Sequence, residues 1–171
     1  MSERSGLVSF RGNGLTLEGD AVEVGNPAPK STLTGAGLAD TDIEAWSGKV
    51  RVLNVVPSLD TPVCDTQSRT FNQRIGELGD GAVVLTVSRD LPFAQARWCG
   101  AAGLEGVVVL SDYKTHAFGQ DYGLTMKENG LLARSVLVVD QQGVVRYQEI
   151  VSEMSEEPDY DAALKAAKEL L

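Results

Sequence analysis

The feature that most constrains the fold of this chain is a series of short, apolar, β-branched runs that alternate with segments of helical spacing. The apolar runs lie at 51–56, 82–88 and 107–110, and the helical segments at 63–78, 93–101 and 115–121. Runs of this length and composition are typical of strands that are covered on both faces. Alternation of such strands with helices predicts an α/β fold, in which a sheet is flanked by helices.

A β-hairpin is predicted on each side of this series. The predicted strand pairs are 7–10 with 15–18, around the turn Gly12-Asn13-Gly14, and 135–140 with 144–148, around 141–143. A helix rich in Ala, Leu, Lys and Glu follows at 160–171. This order predicts a thioredoxin-like α/β fold with a central mixed sheet flanked by helices. We expect one domain over residues 1–171, with residues 1–25 as an N-terminal β-hairpin extension.

The charge and the cysteine content argue against several classes of function. A formal net charge of −9 is unfavourable for binding nucleic acid, which proteins hold by neutralising phosphates with Lys and Arg. The chain has 2 cysteines and 1 histidine, whereas a structural zinc site needs about four such ligands, so no metal or other cofactor is expected. We expect a cytoplasmic protein, because no apolar leader precedes Leu7 and runs such as 136–139 are too short to cross a membrane.

The segment around Cys64 combines the features of a reactive thiol. It lies between the predicted strand 51–56 and the helix that follows, where α/β proteins gather their chemistry. Pro62 suits the first position of a helix and places Cys64 in its first turn, where free N–H groups and the helix dipole favour a thiolate. The hydroxyl of Thr61 can bond to the sulfur or to a bound oxygen, and Pro57 stiffens the loop.

Asp65 is the residue that complicates this picture, because it places a second negative charge next to Cys64. A cation close to Asp65 would offset that charge. The arginines that are available for this role are Arg69, Arg89, Arg97 and Arg134. Sequence spacing does not distinguish among them, so the effect of Asp65 on the thiol is left open.

The same residues carry a resemblance to a known family. Pro57, Thr61 and Cys64 match the P-x-x-x-T-x-x-C motif of the peroxiredoxins. Further stretches resemble one subgroup, the bacterial thiol peroxidases, namely 54–61, 90–95, 97–100 and 157–160. That subgroup also has an N-terminal hairpin. The resemblance covers nearly the whole chain.

The resemblance implies a mechanism as well as a fold. Cys64 would be the peroxidatic cysteine, which reduces hydrogen peroxide and organic hydroperoxides and becomes a sulfenic acid. Cys99 would resolve it to an intramolecular disulfide, which thioredoxin would reduce. By the same resemblance, Thr61 binds the peroxide, Arg134 stabilises the thiolate and the leaving oxygen, and Pro57 shields the site. The subgroup also forms homodimers and serves antioxidant defence and cell redox homeostasis.

Two other functions stay open from the residues alone. A redox sensor would use the same two cysteines to signal to a partner, although it would not need a peroxide-binding hydroxyl and arginine. A disulfide oxidoreductase of the thioredoxin type is disfavoured because the chain has no C-x-x-C. Without the resemblance, the default interpretation of Cys99 is a structural thiol in the helix 93–101. Since Cys64 and Cys99 lie on different helices, we expect a disulfide between them to require local unfolding of both helical segments.

Overall fold

The computed structural model describes residues 1–104 and 107–171. The strands are β1 (Glu3–Phe10), β2 (Asn13–Glu18), β3 (Thr32–Thr34), β4 (Asp40–Asp42), β5 (Val50–Val55), β6 (Ala82–Ser88), β7 (Val108–Ser111), β8 (Thr125–Met126), β9 (Ser135–Val139) and β10 (Val145–Ile150). The helices are α1 (Pro62–Arg74), α2 (Pro92–Ala102), α3 (Ala117–Asp121) and α4 (Tyr160–Lys168). Short 3-10 turns occupy Ala36–Leu38, Ile43–Trp46 and Ile75–Gly81.

The central element is a mixed sheet of seven strands in the order β10-β9-β5-β6-β7-β3-β4. Strands β5, β6 and β7 are parallel, whereas β9 runs antiparallel to β5 and β10 antiparallel to β9. The predicted mixed sheet and the predicted second hairpin are therefore confirmed. Parallel neighbours end at the same edge of a sheet, so the loops after β5, β6 and β7 emerge side by side.

Strand β5 lies at the centre of the core, and all six of its residues are buried. Val50 and Val52 pack with residues of α1 and α4 on one face of the sheet. Leu53 and Val55 pack with residues of α3 on the other face. The alternation of side chains along a strand accounts for this division, and burial on both faces explains why four of the six residues of β5 are apolar.

The helices of the described ranges are short. They span 13, 11, 5 and 9 residues, and none of them is both long and apolar enough to cross a membrane. Proline occupies the first turn of α1 and of α2, where its missing N–H costs nothing, and it sets where each helix begins. The helix predicted at 63–78 ends as an α-helix at Arg74 and continues as a 3-10 turn to Gly81.

The buried face of α1 does not include its first apolar residue. Val63 lines a cavity at the surface. The buried residues are instead Cys64, Gln67, Ser68 and Phe71, which follow the i, i+3, i+4, i+7 spacing of a single helical face. The inward face of this helix therefore carries a thiol and two polar side chains.

The N-terminal hairpin is formed by β1 and β2, and β2 pairs in turn with β8. The turn predicted at Gly12-Asn13-Gly14 lies one residue earlier, since Asn13 and Gly14 already belong to β2. Arg11 and Gly12 both have positive φ, as a type I′ turn requires. The backbone N–H groups of both residues donate to the Glu153 carboxylate, which holds a non-glycine residue in this conformation.

Candidate active site

The loop between β5 and α1 is anchored by the carboxylate of Asp90, which follows β6. Ser58 Oγ donates to Asp90 Oδ1 at 2.6 Å, and the Leu59 backbone N–H donates to Oδ2 at 2.8 Å. Thr61 Oγ1 closes the loop by donating to the Ser58 carbonyl at 2.8 Å. Two residues of the loop are thus tied to the chain just after β6, and the bond of Thr61 within the loop holds the residue that precedes α1.

Cys64 lies in the first turn of α1 and is completely buried. Its side chain belongs to a small apolar cluster with Val56 and Leu59, against which the half-buried Trp98 and Val109 pack. An apolar environment disfavours a charged sulfur, whereas the helix N-terminus favours it. The thiol therefore lies at a helix N-terminus and out of contact with water.

Cys99 is a free, half-buried thiol on α2. Burial raises the pKa of the Cys99 thiol above its ordinary value. The thiol therefore stays protonated at neutral pH in this arrangement, and a protonated thiol is a poor nucleophile.

A cavity of about 340 Å³ lies next to the start of α1 and collects three of the predicted site residues, Pro57, Thr61 and Arg134. The described residues around it do not include Cys64, which lies behind them in the apolar cluster. The remaining walls are largely apolar and come from several parts of the chain, namely Phe10, Val63, Met126, Leu131 and Met154. Arg11 of the hairpin turn also lines this cavity.

Arg134 is almost fully buried, and its guanidinium is held by hydrogen bonds. Its Nη1 donates to Gln67 Oε1 at 2.9 Å, and its Nε and Nη2 donate to the Met154 carbonyl at 3.0 and 2.7 Å. Gln67 is fixed in turn by donating to Asn54 Oδ1 at 2.7 Å. A buried polar network of this kind stabilises a single geometry when its members are satisfied. The guanidinium therefore keeps one orientation beside the cavity.

Sequence reasoning missed Gln67 and Asp90. Gln67 lies three residues after Cys64, so helical spacing alone places it on the same face. Asp90 follows β6, whose carboxyl end lies beside that of β5 in a parallel sheet. The signal for Gln67 is its helical spacing from Cys64. The signal for Asp90 becomes informative only once β5 and β6 are known to be neighbours.

The structure selects the cation that pairs with Asp65. Arg69 Nε lies 3.0 and 2.9 Å from the two carboxylate oxygens of Asp65. Arg89 instead pairs with Asp112, and Arg134 with Gln67. Trp98 Nε1 also donates to Asp65 Oδ1 at 2.7 Å. The negative charge next to Cys64 is therefore partly neutralised by a neighbour on the same helix.

The hairpin wall of the cavity is expected to be sensitive to acid through Glu153. A hydrogen bond from Ser9 Oγ, followed by those from Arg11 and Gly12, lowers the pKa of the Glu153 carboxyl to about 2. Because the pKa is depressed, the stability that this carboxylate contributes is fully present above pH 4.5 and is lost as the pH falls through about 2. In the folded protein the carboxylate itself takes up its proton, and weakens its hold on the two amides, near pH 2. The amide chemical shifts of Arg11 and Gly12, followed by NMR in an acid titration, should report this loss.

Glu153→Gln should abolish that titration, whereas Glu156→Gln, three residues further along, should preserve it. Amide shifts that titrate with the ordinary midpoint of a glutamate would contradict the assignment. So would a loss of the titration in Glu156→Gln.

Comparison with known proteins gives consistent matches over almost the whole chain. The profile of the Redoxin family matches residues 23–164. A thiol peroxidase from Streptococcus sanguinis is 48% identical over 164 residues, which cover 96% of this chain and 100% of that protein. A thiol peroxidase from Listeria innocua is 48% identical over 161 residues, which cover 94% of this chain and 97% of that protein.

Solved structures agree with these matches. A peroxiredoxin-like protein from Aquifex aeolicus superimposes with a TM-score of 0.90 at 36% identity, covering 98% of this chain and 99% of that one. A thiol peroxidase from Chromobacterium violaceum superimposes with a TM-score of 0.84 at 21% identity, covering 95% of each chain. The second comparison bears on the fold alone, and it agrees with the thioredoxin-like class predicted from the sequence.

Proposed function

Because the chain belongs to the redoxin family and is a peroxidase of the peroxiredoxin type, we propose that Cys64 is the nucleophile that attacks the peroxide. The observation that carries the proposal is the cavity in which Thr61 and Arg134 meet beside the first turn of α1. That turn bears Cys64 at a position where backbone N–H groups favour a thiolate. A nucleophile, a hydroxyl and a fixed cation are the groups that peroxide reduction needs.

The first step is a two-electron oxidation of sulfur by the peroxide. The Cys64 thiolate attacks the terminal oxygen of the hydroperoxide, so that an S–O bond forms and the O–O bond breaks. The leaving alkoxide takes a proton and departs as an alcohol, or as water when the substrate is hydrogen peroxide. Cys64 remains as a sulfenic acid.

Arg134 and Thr61 support this step in different ways. The buried guanidinium of Arg134 stabilises the negative charge that moves from sulfur to the leaving oxygen, and its fixed orientation requires no reorganisation during the reaction. The hydroxyl hydrogen of Thr61 is committed to the Ser58 carbonyl, so its oxygen accepts a hydrogen bond from the peroxide O–H. Pro57 contributes an apolar wall that limits the access of water.

We assign Cys99 as the resolving cysteine. Its sulfur attacks the sulfenic sulfur of Cys64, so that the S–S bond forms, the S–O bond breaks and hydroxide leaves to become water. Thioredoxin then reduces the disulfide by exchange and is itself oxidised. The family resemblance supports both the use of thioredoxin and assembly as a homodimer.

The apolar walls of the cavity favour organic hydroperoxides over hydrogen peroxide. Side chains such as Phe10, Leu131 and Met154 offer dispersion contacts to an alkyl or lipid chain. Hydrogen peroxide makes no such contacts and gains only from the polar groups. We therefore expect a higher kcat/KM for cumene hydroperoxide than for hydrogen peroxide.

The test is an assay that couples peroxide reduction to NADPH oxidation through thioredoxin and thioredoxin reductase. The wild-type protein should sustain turnover with both peroxides. Cys99→Ser should consume about one equivalent of peroxide, as counted by a single-turnover assay, and then stall because its sulfenic acid is not resolved. Omission of thioredoxin is the control for direct NADPH oxidation. Absence of sustained turnover in the wild-type protein would favour the redox-sensor alternative.

A further inference from the structure

A cluster of polar contacts ties the helix that bears Cys64 to the helix that bears Cys99. Asp65 follows Cys64 directly, and its Oδ1 accepts from Trp98 Nε1 at 2.7 Å. Trp98 directly precedes Cys99. Arg69 joins the two sides, because its Nε contacts both oxygens of Asp65 at 3.0 and 2.9 Å and its Nη1 donates to the Ala102 carbonyl at 3.3 Å.

The aromatic ring of Trp98 takes part in the same cluster. The Arg69 guanidinium lies 5.9 Å from the centre of the indole ring, within the range of a cation–π contact. The ring also packs against the apolar cluster that contains Cys64. The indole therefore packs against this cluster while its N–H is held by the carboxylate of Asp65, the residue that follows Cys64.

These contacts oppose the movement that a disulfide requires. Trp98 packs against the apolar cluster that contains Cys64, and the thiol of Cys99 is half-buried, with its pKa raised by that burial. The local unfolding that we expect for a disulfide between Cys64 and Cys99 moves α2 from this position, exposes Cys99 and lets its sulfur approach oxidised Cys64. The hydrogen bond from Trp98 to Asp65 and the one from Arg69 to the Ala102 carbonyl must break in that movement, whereas the pair of Asp65 with Arg69 stays within α1.

We propose that Asp65, Arg69 and Trp98 form a latch between α1 and α2 that sets the rate at which Cys99 resolves oxidised Cys64. The proposal rests on the roles proposed above for the two cysteines. Asp65, Arg69 and Trp98 are positioning residues, because they act on the movement of α2 rather than on the peroxide. The latch holds the reactive arrangement together while the peroxide binds and reacts.

The latch also governs the fate of the sulfenic acid. While α2 stays closed, a second hydroperoxide can oxidise the Cys64 sulfenic acid to a sulfinic acid and leave as an alcohol. Once α2 opens, Cys99 forms the disulfide and water leaves. A weaker latch therefore speeds resolution and reduces overoxidation by the same factor.

The experiment follows disulfide formation directly. Reduced full-length protein is mixed with one equivalent of cumene hydroperoxide, quenched with acid after set times and analysed by intact mass. Asp65→Asn keeps the size of the side chain but removes its charge, and Trp98→Phe keeps an aromatic ring but removes the N–H donor. Each should raise the rate constant of disulfide formation about three- to tenfold. The peroxide concentration that gives half-maximal sulfinic acid should rise by the same factor.

Arg74→Gln is the matched control, because Arg74 lies on the same helix and pairs with Glu77 and Asp161 at 3.4 and 2.8 Å, away from α2. Its resolution rate should equal that of the wild type. An unchanged or slower rate in both Asp65→Asn and Trp98→Phe would overturn the latch, and so would an equal acceleration in Arg74→Gln. A wild-type protein that forms no disulfide at all would instead refute the proposed role of Cys99.

Discussion

The Cys64→Ser variant is expected to lose peroxide turnover by about a thousandfold or more, the scale of loss when an enzyme nucleophile is removed. A serine hydroxyl is not ionised at neutral pH and does not accept oxygen from a peroxide as a thiolate does. The substitution is small, and the hydroxyl fits the space of the thiol beside Val56 and Leu59. The NADPH-coupled assay measures sustained turnover, and a single-turnover peroxide assay measures the first step alone.

Cys99→Ser is the control for this prediction, because it removes the other thiol and should leave the first step intact. A Cys64→Ser protein that still consumes one equivalent of peroxide would show that Cys99 is the primary nucleophile. Circular dichroism of both variants should match the wild type, since each change replaces sulfur by oxygen in place.

Loss of the Arg134 guanidinium is expected to have the second-largest effect. Arg134→Met should lower the second-order rate constant for peroxide about 100- to 1000-fold, the range seen when a preorganised charge-stabilising group is removed. The same change leaves Gln67 and the Met154 carbonyl without their buried donor, at a cost of about 1–3 kcal/mol in the free energy of unfolding. The rate constant of Arg134→Lys should fall between those of the wild type and Arg134→Met, because lysine keeps the charge but not the planar donor geometry.

Arg51→Met is the control that separates the loss of rate from the loss of stability. Arg51 is also a buried arginine, but it lies near the start of β5, at the opposite end of the strand from Cys64. Its Nη1 donates to the Ile43 carbonyl. We expect Arg51→Met to lose stability in chemical denaturation while its rate per folded molecule stays unchanged. If Arg134→Met and Arg51→Met lost the same fraction of rate, Arg134 would have a structural role only.

The elements of the core could be predicted from the sequence because their signals are local. The β-branched run at 51–56 is mostly apolar, and the structure buries every residue of β5. The hairpin turn was placed one residue too late because its geometry depends on a distant group. Arg11 adopts a positive φ with its N–H bound to Glu153, which is 142 residues away in the chain. Local turn preferences contain no information about such a contact.

Part of the candidate site was also predictable, because the motif around Cys64 is a local signal in the sequence. The motif around Cys64 and its resemblance to the peroxiredoxins indicated Thr61, Pro57 and Arg134, and the structure brings these three residues to one cavity. The sequence left the partner of Asp65 open among four arginines, although only Arg69 has the i, i+4 spacing of an ion pair on a helix. The contact of Arg69 with Trp98 was not predictable, because it depends on how α2 packs against α1.

The hairpin that forms one wall of the cavity has a consequence for how this kind of protein can diversify. Phe10 and Arg11 come from the edge of a separate three-stranded sheet, whereas Arg134 and the loop before α1 belong to the central sheet and its connections. Changes in the tip of the hairpin would alter the shape of the cavity entrance without changing Cys64, Thr61 or Arg134. The entrance of the cavity and the proposed reactive groups thus come from separate parts of the fold, and grafting one hairpin tip for another tests whether the entrance sets the peroxide preference.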